Sequence, residues 1–468
     1  MKKFMDKDFL LQTETASRLY HEHAAAQPVI DYRSHLCAAD IASDKSYRNI
    51  TRLLLGNADA AWRLLRAAGV EERYITGDAS DYEKFQKFAE TMPKAIGNPM
   101  FLRSQLELKR FFDCDILLSG DTAAEIWTLC NEKLQQPEYT IRGLLAKANV
   151  ESVDTIADPA DDLKWFRKML EDDDCKTLVR PIFCPDKVLH IESPEWENYM
   201  KYELGTAADI DISTMQDVRD ALHKRMDYFE SLGCRTADHT LDVMDFCLAE
   251  EFELDDIVGR TINGKGRRQS QTVRAQFQTA VMVFLATEYA RRGWVMQLEY
   301  AVLRDNNSRL LADAGMGKGG DCLTDGCCGA KLAQFLNALD KDGLLPKTIV
   351  SSRNPADGAM IASVIGAFQG SEAAGKLQLG ASWNFQGDKN GIKAQLAHMA
   401  NQSLLGCAVN MASNARSVLS CARHEYYRRI LCNFIGRLVE NGEYPDDEAL
   451  LGQLVEDICY GNAKKYFG

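Results

Sequence analysis

Residues 29–36 read VIDYRSHL, an apolar, β-branched start that runs out into Asp31, Arg33 and His35 at every second position. Such a run reads as a buried strand leaving the core at its polar C-terminal end. Side chains two apart on a strand share a side, so a His-x-His pair at this place would suit a divalent metal. Here the first of the two positions is Arg33, whose guanidinium is permanently charged and has no lone pair to give a metal. The chemistry of this strand end is therefore set by a fixed cation beside one imidazole, His35.

The elements that must position these groups alternate along the chain. Short apolar runs occur at 28–32, 177–183, 293–298, 347–352 and 376–382, with amphipathic helical patterns at 330–340, 358–370 and 392–405. Strand–helix repetition over this many units predicts an α/β fold with a parallel sheet, closed as a (β/α)8 TIM-type barrel rather than open and doubly wound. An α-helical insertion domain is expected at 37–130. It follows an N-terminal segment and first strand at 1–36, and the rest of the barrel with C-terminal helices occupies 131–468. In a barrel, polar residues at the C-terminal strand ends face the active-site mouth. That rule selects Asp31, Arg33, His35, Asp238, His239, Glu299, Asn354, Trp383 and Arg416. Adjacent residues on a strand normally face opposite sides, so Asp238 and His239 compete for one place.

Composition narrows the partners. The chain has 468 residues, 46% hydrophobic and 26% charged, with a net charge of −13. This balance argues against a nucleic-acid or anionic-membrane partner, and the one short basic cluster, KGRR at 265–268, reads as a solvated loop. The N-terminus lacks the apolar core of a signal peptide and no run is long enough for a membrane span, so a cytoplasmic location is expected. Fourteen cysteines are scattered without a CxxC pair and read as reduced, mostly buried thiols. The Gly-rich segment 315–329 lacks phosphate-loop spacing and reads as a flexible barrel loop with Asp321 near the mouth.

Several stretches together carry a family resemblance: DYRSHL, ITGDASDYEKFQ at 75–86, LELKRFF at 106–112, RTADHTLD at 235–242, GWVMQL followed by LRDNNSR, GASW at 380–383, ARSVLSCARHEYYRRILCNFIG and EDICYGNAKKYFG. In this order they make the chain resemble bacterial uronate isomerases, a metal-dependent barrel branch of the amidohydrolase superfamily. The resemblance implies interconversion of aldohexuronates and ketohexuronates, such as D-glucuronate and D-fructuronate. It also exposes departures at the functional positions. Where the family reads DYHCHL, Arg33 takes the place of the first metal histidine while His35 keeps the second. Its QLH becomes QLE with Glu299, and its TDSR becomes SNAR, placing Asn414 at the acidic ligand and keeping Arg416. A His-Tyr pair becomes Asp59 and Ala60, a pocket arginine becomes Cys184, and two further histidine positions hold Leu102 and Gln105.

The resemblance thus implies a sugar-acid isomerase without the usual ligands. No metal or other cofactor is expected. The alternative is zinc or another divalent metal on His35, His239 and Glu299, two imidazoles and a carboxylate being a chemically sensible set. Proton transfer next to a carbonyl needs a base and something that polarises the carbonyl oxygen. His35, Arg33, Glu299, His239 and Asp238 are the catalytic candidates, with Arg33 and Glu299 expected within hydrogen-bond reach as either a plug or an electrophile–base pair. Arg416 and Arg304 are candidates for holding a carboxylate, Trp383 offers a face to a sugar ring, and Asn354 and Asp59 complete the substrate set. A small sugar acid and further copies of the chain in a homo-oligomer are the expected partners. The competing reading is a non-catalytic paralogue that binds a sugar acid or pairs with an active relative.

Overall fold

Among the described residues, seven apolar stretches bounded by turns become parallel strands: Val29–Ser34 (β1), Val150–Ala157 (β2), Leu178–Phe183 (β3), Thr236–Thr240 (β4), Val295–Tyr300 (β5), Lys347–Ser352 (β6) and Leu377–Leu379 (β7). The computed structural model describes residues 2–56, 58–264, 269–324, 328–380 and 383–468, excepting the side chains of 383 and 384. The KGRR cluster and Cys327 lie outside these residues, and so does the side chain of Trp383. The strands pair in chain order into one curled parallel sheet. Helices between them, such as Met215–Ser231, Gln271–Arg292 and Gly329–Asp340, cover its outer face.

The eighth barrel position is not a regular strand. Residues 409–415 run beside β1, where Asn414 N donates to Arg33 O (3.0 Å) and His35 N donates to Ala415 O (2.8 Å). Toward β7 the join is made by side-chain amides: Gln378 Nε2 donates to Cys407 O and its Oε1 accepts from Val409 N. Asn414 lies in the left-handed region (φ 49°), which breaks the regular ladder and suits an asparagine.

The segment between β1 and β2 is built of helices from Ala38 to Lys147, beyond the expected limit at 130. Its Ile50, Phe85, Phe88, Leu106 and Phe111 belong to the same apolar cluster as Val153 and Val179 of the barrel. The helical insertion therefore packs as one wall of the barrel core. Its Asp59–Ala67 helix holds the loop after β5: Arg63 Nη1 donates to Asp321 O (2.7 Å) and Arg66 Nη1 to Lys318 O (2.6 Å). Over its described part the Gly-rich segment is thus a tied loop.

Inside the barrel, Ile30, Tyr32, Val295, Ile349, Val409 and Ala412 meet the C-terminal Tyr466 and Phe467. Phe467 stacks on Tyr32 with ring centres 4.5 Å apart, and Tyr466 Oη donates to Lys376 O (2.7 Å). Arg180 pairs with Asp154 (2.8 Å) and donates to the backbone oxygen of Gly468 (3.0 Å). The end of the chain is the floor of the barrel, which leaves the opposite end open as a mouth. Truncating Phe467 to Ala removes that packing and should cost about 3–5 kcal/mol, read as a lower urea midpoint.

Candidate functional site

Polar side chains at the C-terminal strand ends converge on a cavity of about 120 Å³ beneath a wider mouth. In β5, period-two alternation turns Val295, Gln297 and Glu299 inward, with Glu299 at the top. In β4, Asp238 faces the interior beside it. The β1–β2 register slips between Asp31 and Ser34, and this irregularity re-aims the strand end so that Arg33 and His35 both line the cavity. Asp31 instead turns away from the mouth, accepting hydrogen bonds from the backbone N and the hydroxyl of Ser413.

Arg33 is the hub. Its Nη2 donates to Asp238 Oδ2 (3.0 Å) and to Glu299 Oε2 (3.1 Å), and its Nε lies 2.9 Å from Asp238 Oδ1. Arg353, one residue past β6, donates from Nη2 to the same Glu299 oxygen (3.2 Å). All four residues are buried. Burial pushes the Glu299 carboxyl up, but Arg33 and Arg353 together hold it well below the usual carboxylate range. Burial lowers Arg33, but Asp238 and Glu299 more than restore its charge. Asp238 is raised by burial against the pull of Arg33. The contacts of Arg33 to the two carboxylates run through Nη2 and Nε, and the residue lines the cavity.

His35 stands beside Asn414, and burial, then Arg416 and Arg33, push its imidazole down to about 3, so it is neutral at ordinary pH. Arg304 pairs with Asp321 (3.2 Å) at the rim, and Arg416 is exposed there. Asp59 caps the next backbone N–H, that of Ala60 (2.9 Å), at the start of its helix. His35, Asn414, Arg304, Arg416 and Asp59 line the cavity. Cys184 sits near Asp186, Asp238 and Arg33, its thiol raised by burial.

Three expectations do not meet at this site. His239 faces outward from β4: it is fully buried, its ring centre lies 5.7 Å from that of Tyr289, and neither ring nitrogen has a hydrogen-bond partner among the described residues. Strand alternation gave the inward place to Asp238. Asn354 caps a short turn, accepting from Ala356 N (3.0 Å) and donating to Thr324 O (3.0 Å), and it lines a separate small cavity. Gln105, at one of the family's histidine positions, is buried away from the mouth, bridging Ile116 O and Leu118 N.

Four residues that line the cavity escaped the sequence reading. Arg353 ends a recognised strand run, and the strand-end rule applied one residue earlier than Asn354 would have found it. Arg103 and Glu107 lie four apart on the Pro99–Phe112 helix and reach the cavity with Met100 and Ser104. Arg423 comes from the Ala422–Glu440 helix and donates to Ser413 O (2.6 Å). A rule confined to strand ends cannot select residues on covering helices. Among the described lining residues, six arginines face three carboxyls, so the cavity is cationic.

A metal does not fit this arrangement. The carboxylates that would ligate it are already held by the Arg33 guanidinium, and His239 is on the wrong side of its strand. Among the described residues, the one group of three ligating side chains with donor atoms within 4.8 Å of one another is Glu22, His23 and Glu448, outside the cavity.

The comparisons agree with the architecture. A sequence model of the glucuronate isomerase family matches residues 1–467. The uronate isomerase of Lachnoclostridium phytofermentans is 46% identical over the whole of both chains. That of Vibrio vulnificus is 44% identical over 100% of this chain and 99% of its own. The crystal structure of uronate isomerase from Thermotoga maritima superposes with a TM-score of 0.93 at 29% identity, covering both chains fully. The glucuronate isomerase from Caulobacter crescentus shares the fold, with a TM-score of 0.91 at 20% identity over 99% and 97% of the two chains.

Replacing Arg33 by Met leaves two buried carboxylates without their shared partner and should cost about 3–5 kcal/mol, measured by denaturant unfolding. A second prediction follows from His239. Burial lowers its imidazole from 6.5 to about 3, so between those values the unfolded chain binds a proton that the folded chain refuses. Its share of stability is present above 6.5 and lost as pH falls, at up to about 1.4 kcal/mol per pH unit. In His239→Phe the stability–pH slope between pH 6 and 4 should be shallower by about that amount.

Proposed function

The chain belongs to the glucuronate isomerase family, and on that premise we propose that it interconverts an aldohexuronate and a ketohexuronate. D-glucuronate and D-fructuronate are the pair suggested by the resemblance. The proposal includes a metal-free form of the reaction, in which the Arg33 guanidinium supplies the positive charge at the floor of the cavity. The observation that carries it is the fixed geometry of Arg33, braced by Asp238 and Glu299 in the lining of the cavity. Donors held in place before reaction stabilise developing oxyanion charge without reorganisation.

The roles then divide by depth. In this reading Arg416 and Arg304 hold the carboxylate of the sugar acid; both line the cavity, and guanidinium forks match carboxylates. The carbonyl end then lies toward Arg33. Neutral His35 serves as a hydrogen-bonding group there rather than as a second cation. No helix among the described residues is long and apolar enough to cross a membrane, and a free, charged sugar acid is a water-borne substrate. A cytoplasmic location and a homo-oligomeric assembly are part of the same proposal, on the family resemblance.

The test is conversion of D-glucuronate to the ketose, followed by NMR, with protein freed of metal by chelation and with protein given excess zinc. Equal turnover in both is expected. Arg33→Lys should lower kcat by about 10²–10³-fold, the loss typical of one oxyanion donor, and Arg416→Ala should act mainly on KM. Turnover that appears only with stoichiometric zinc would overturn the metal-free reading, and binding without turnover would favour the non-catalytic one.

A further inference from the structure

The groups at the cavity floor are poorly matched to moving a proton along a sugar. Glu299 is tied to two guanidinium groups, and His35 is a weak base among arginines. A base works best when its pKa lies near the operating pH. The helical part of the cavity lining holds a different kind of carboxyl. The Pro99–Phe112 helix turns Met100, Arg103, Ser104 and Glu107 onto the cavity, the three-and-four spacing of one helical face. Glu107 sits between the charges of Arg103 and Arg423, yet among the described residues its carboxyl is in no hydrogen bond or ion pair. It is the lining carboxyl left free for a ligand: Glu299 is bound by arginines, and Asp59 caps its own helix.

We propose that Glu107 is a catalytic residue that carries the proton between the two adjacent carbons of the bound sugar acid. This rests on the isomerase reading above and adds the identity of the base. The Glu107 carboxylate takes the proton from the hydroxyl-bearing carbon beside the aldehyde. The freed C–H pair forms the carbon–carbon double bond, and the carbonyl π pair moves onto oxygen, facing Arg33. The Glu107 acid then returns the proton to the former aldehyde carbon. The second oxygen becomes the new carbonyl, and its hydroxyl proton passes to the first oxygen. Substrate and product are isomers, so no oxidant or reductant enters.

The electrostatics agree with this role. Burial raises the Glu107 carboxyl to about 7 against the pull of Arg423 and Arg103. Both protonation states are then populated near neutral pH, as a group that first accepts and then gives a proton requires. Arg423 in turn is lowered by burial and by Arg103, to about 10. A carboxyl serving only as counter-ion to two arginines is the competing role, and it predicts different kinetics.

The experiment follows D-glucuronate in D₂O by ¹H NMR with wild type, Glu107→Gln and Glu107→Asp. Wild type should incorporate deuterium during isomerisation, and its kcat should rise with pH through about 7. Glu107→Gln should lose about 10²–10⁴ of kcat, with KM within a few-fold and the inflection gone. Glu107→Asp should recover part of the rate with a displaced inflection. A Gln variant within a few-fold of wild type overturns the proposal. So does a loss that falls on KM with the inflection unchanged, which marks a counter-ion. Should the Gln variant fail to fold, absence of any inflection near 7 in wild type overturns it independently. Wild type without turnover would sink the isomerase reading itself, and that result is seen before any variant is compared.

Discussion

A guanidinium buried between two carboxylates is the constraint from which the rest of this barrel mouth follows. Taking one charge out of water costs several kcal/mol unless others compensate it. Arg33 is therefore sustainable only with Asp238 and Glu299 on either side, and Glu299 in turn draws in Arg353. The network joins the ends of β1, β4, β5 and the residue after β6. Its members are mutually dependent. A cation fixed at position 33 makes a histidine at 299 unfavourable and a carboxylate favourable, and it leaves position 414 free to be a neutral amide. Arg33, Asp238, Glu299 and Arg353 thus form one electrostatic arrangement.

That arrangement sets what the cavity can recognise. Arginines outnumber carboxyls on its wall, and His35 stays uncharged through burial first and then through Arg416 and Arg33. In the proposed reading an anionic, hydroxylated ligand meets forks at the rim and a braced cation at the floor. The barrel strands provide the floor, whereas the Pro99–Phe112 helix of the insertion provides Arg103 and Glu107 and the Asp59–Ala67 helix ties down the loop bearing Asp321. Site and insertion are thus one structural unit, which explains why the helical segment shares the barrel's apolar cluster.

The pair Asp238–His239 shows how local geometry decides between neighbours. Both are polar residues near a strand end, and β4 has room to turn only one of them inward. Asp238 takes the ionic network, and His239 is left in an apolar layer with Tyr289, where burial keeps it neutral. The same alternation turns Glu299 inward in β5.

The sequence by itself determined the repeating strand–helix order, the family resemblance, and the identities at the strand ends, because period-two patterning and local motifs are properties of short stretches. Arg33 and Glu299 were legible as partners through the resemblance, because both stand where it implies metal-facing histidines. Tertiary structure alone decided the rest. The slip in the β1–β2 register aims Arg33, the irregular 409–415 segment closes the barrel through side-chain amides, and a helix far from any strand end delivers Glu107. These depend on which surfaces pack together across hundreds of residues, and no local periodicity encodes that.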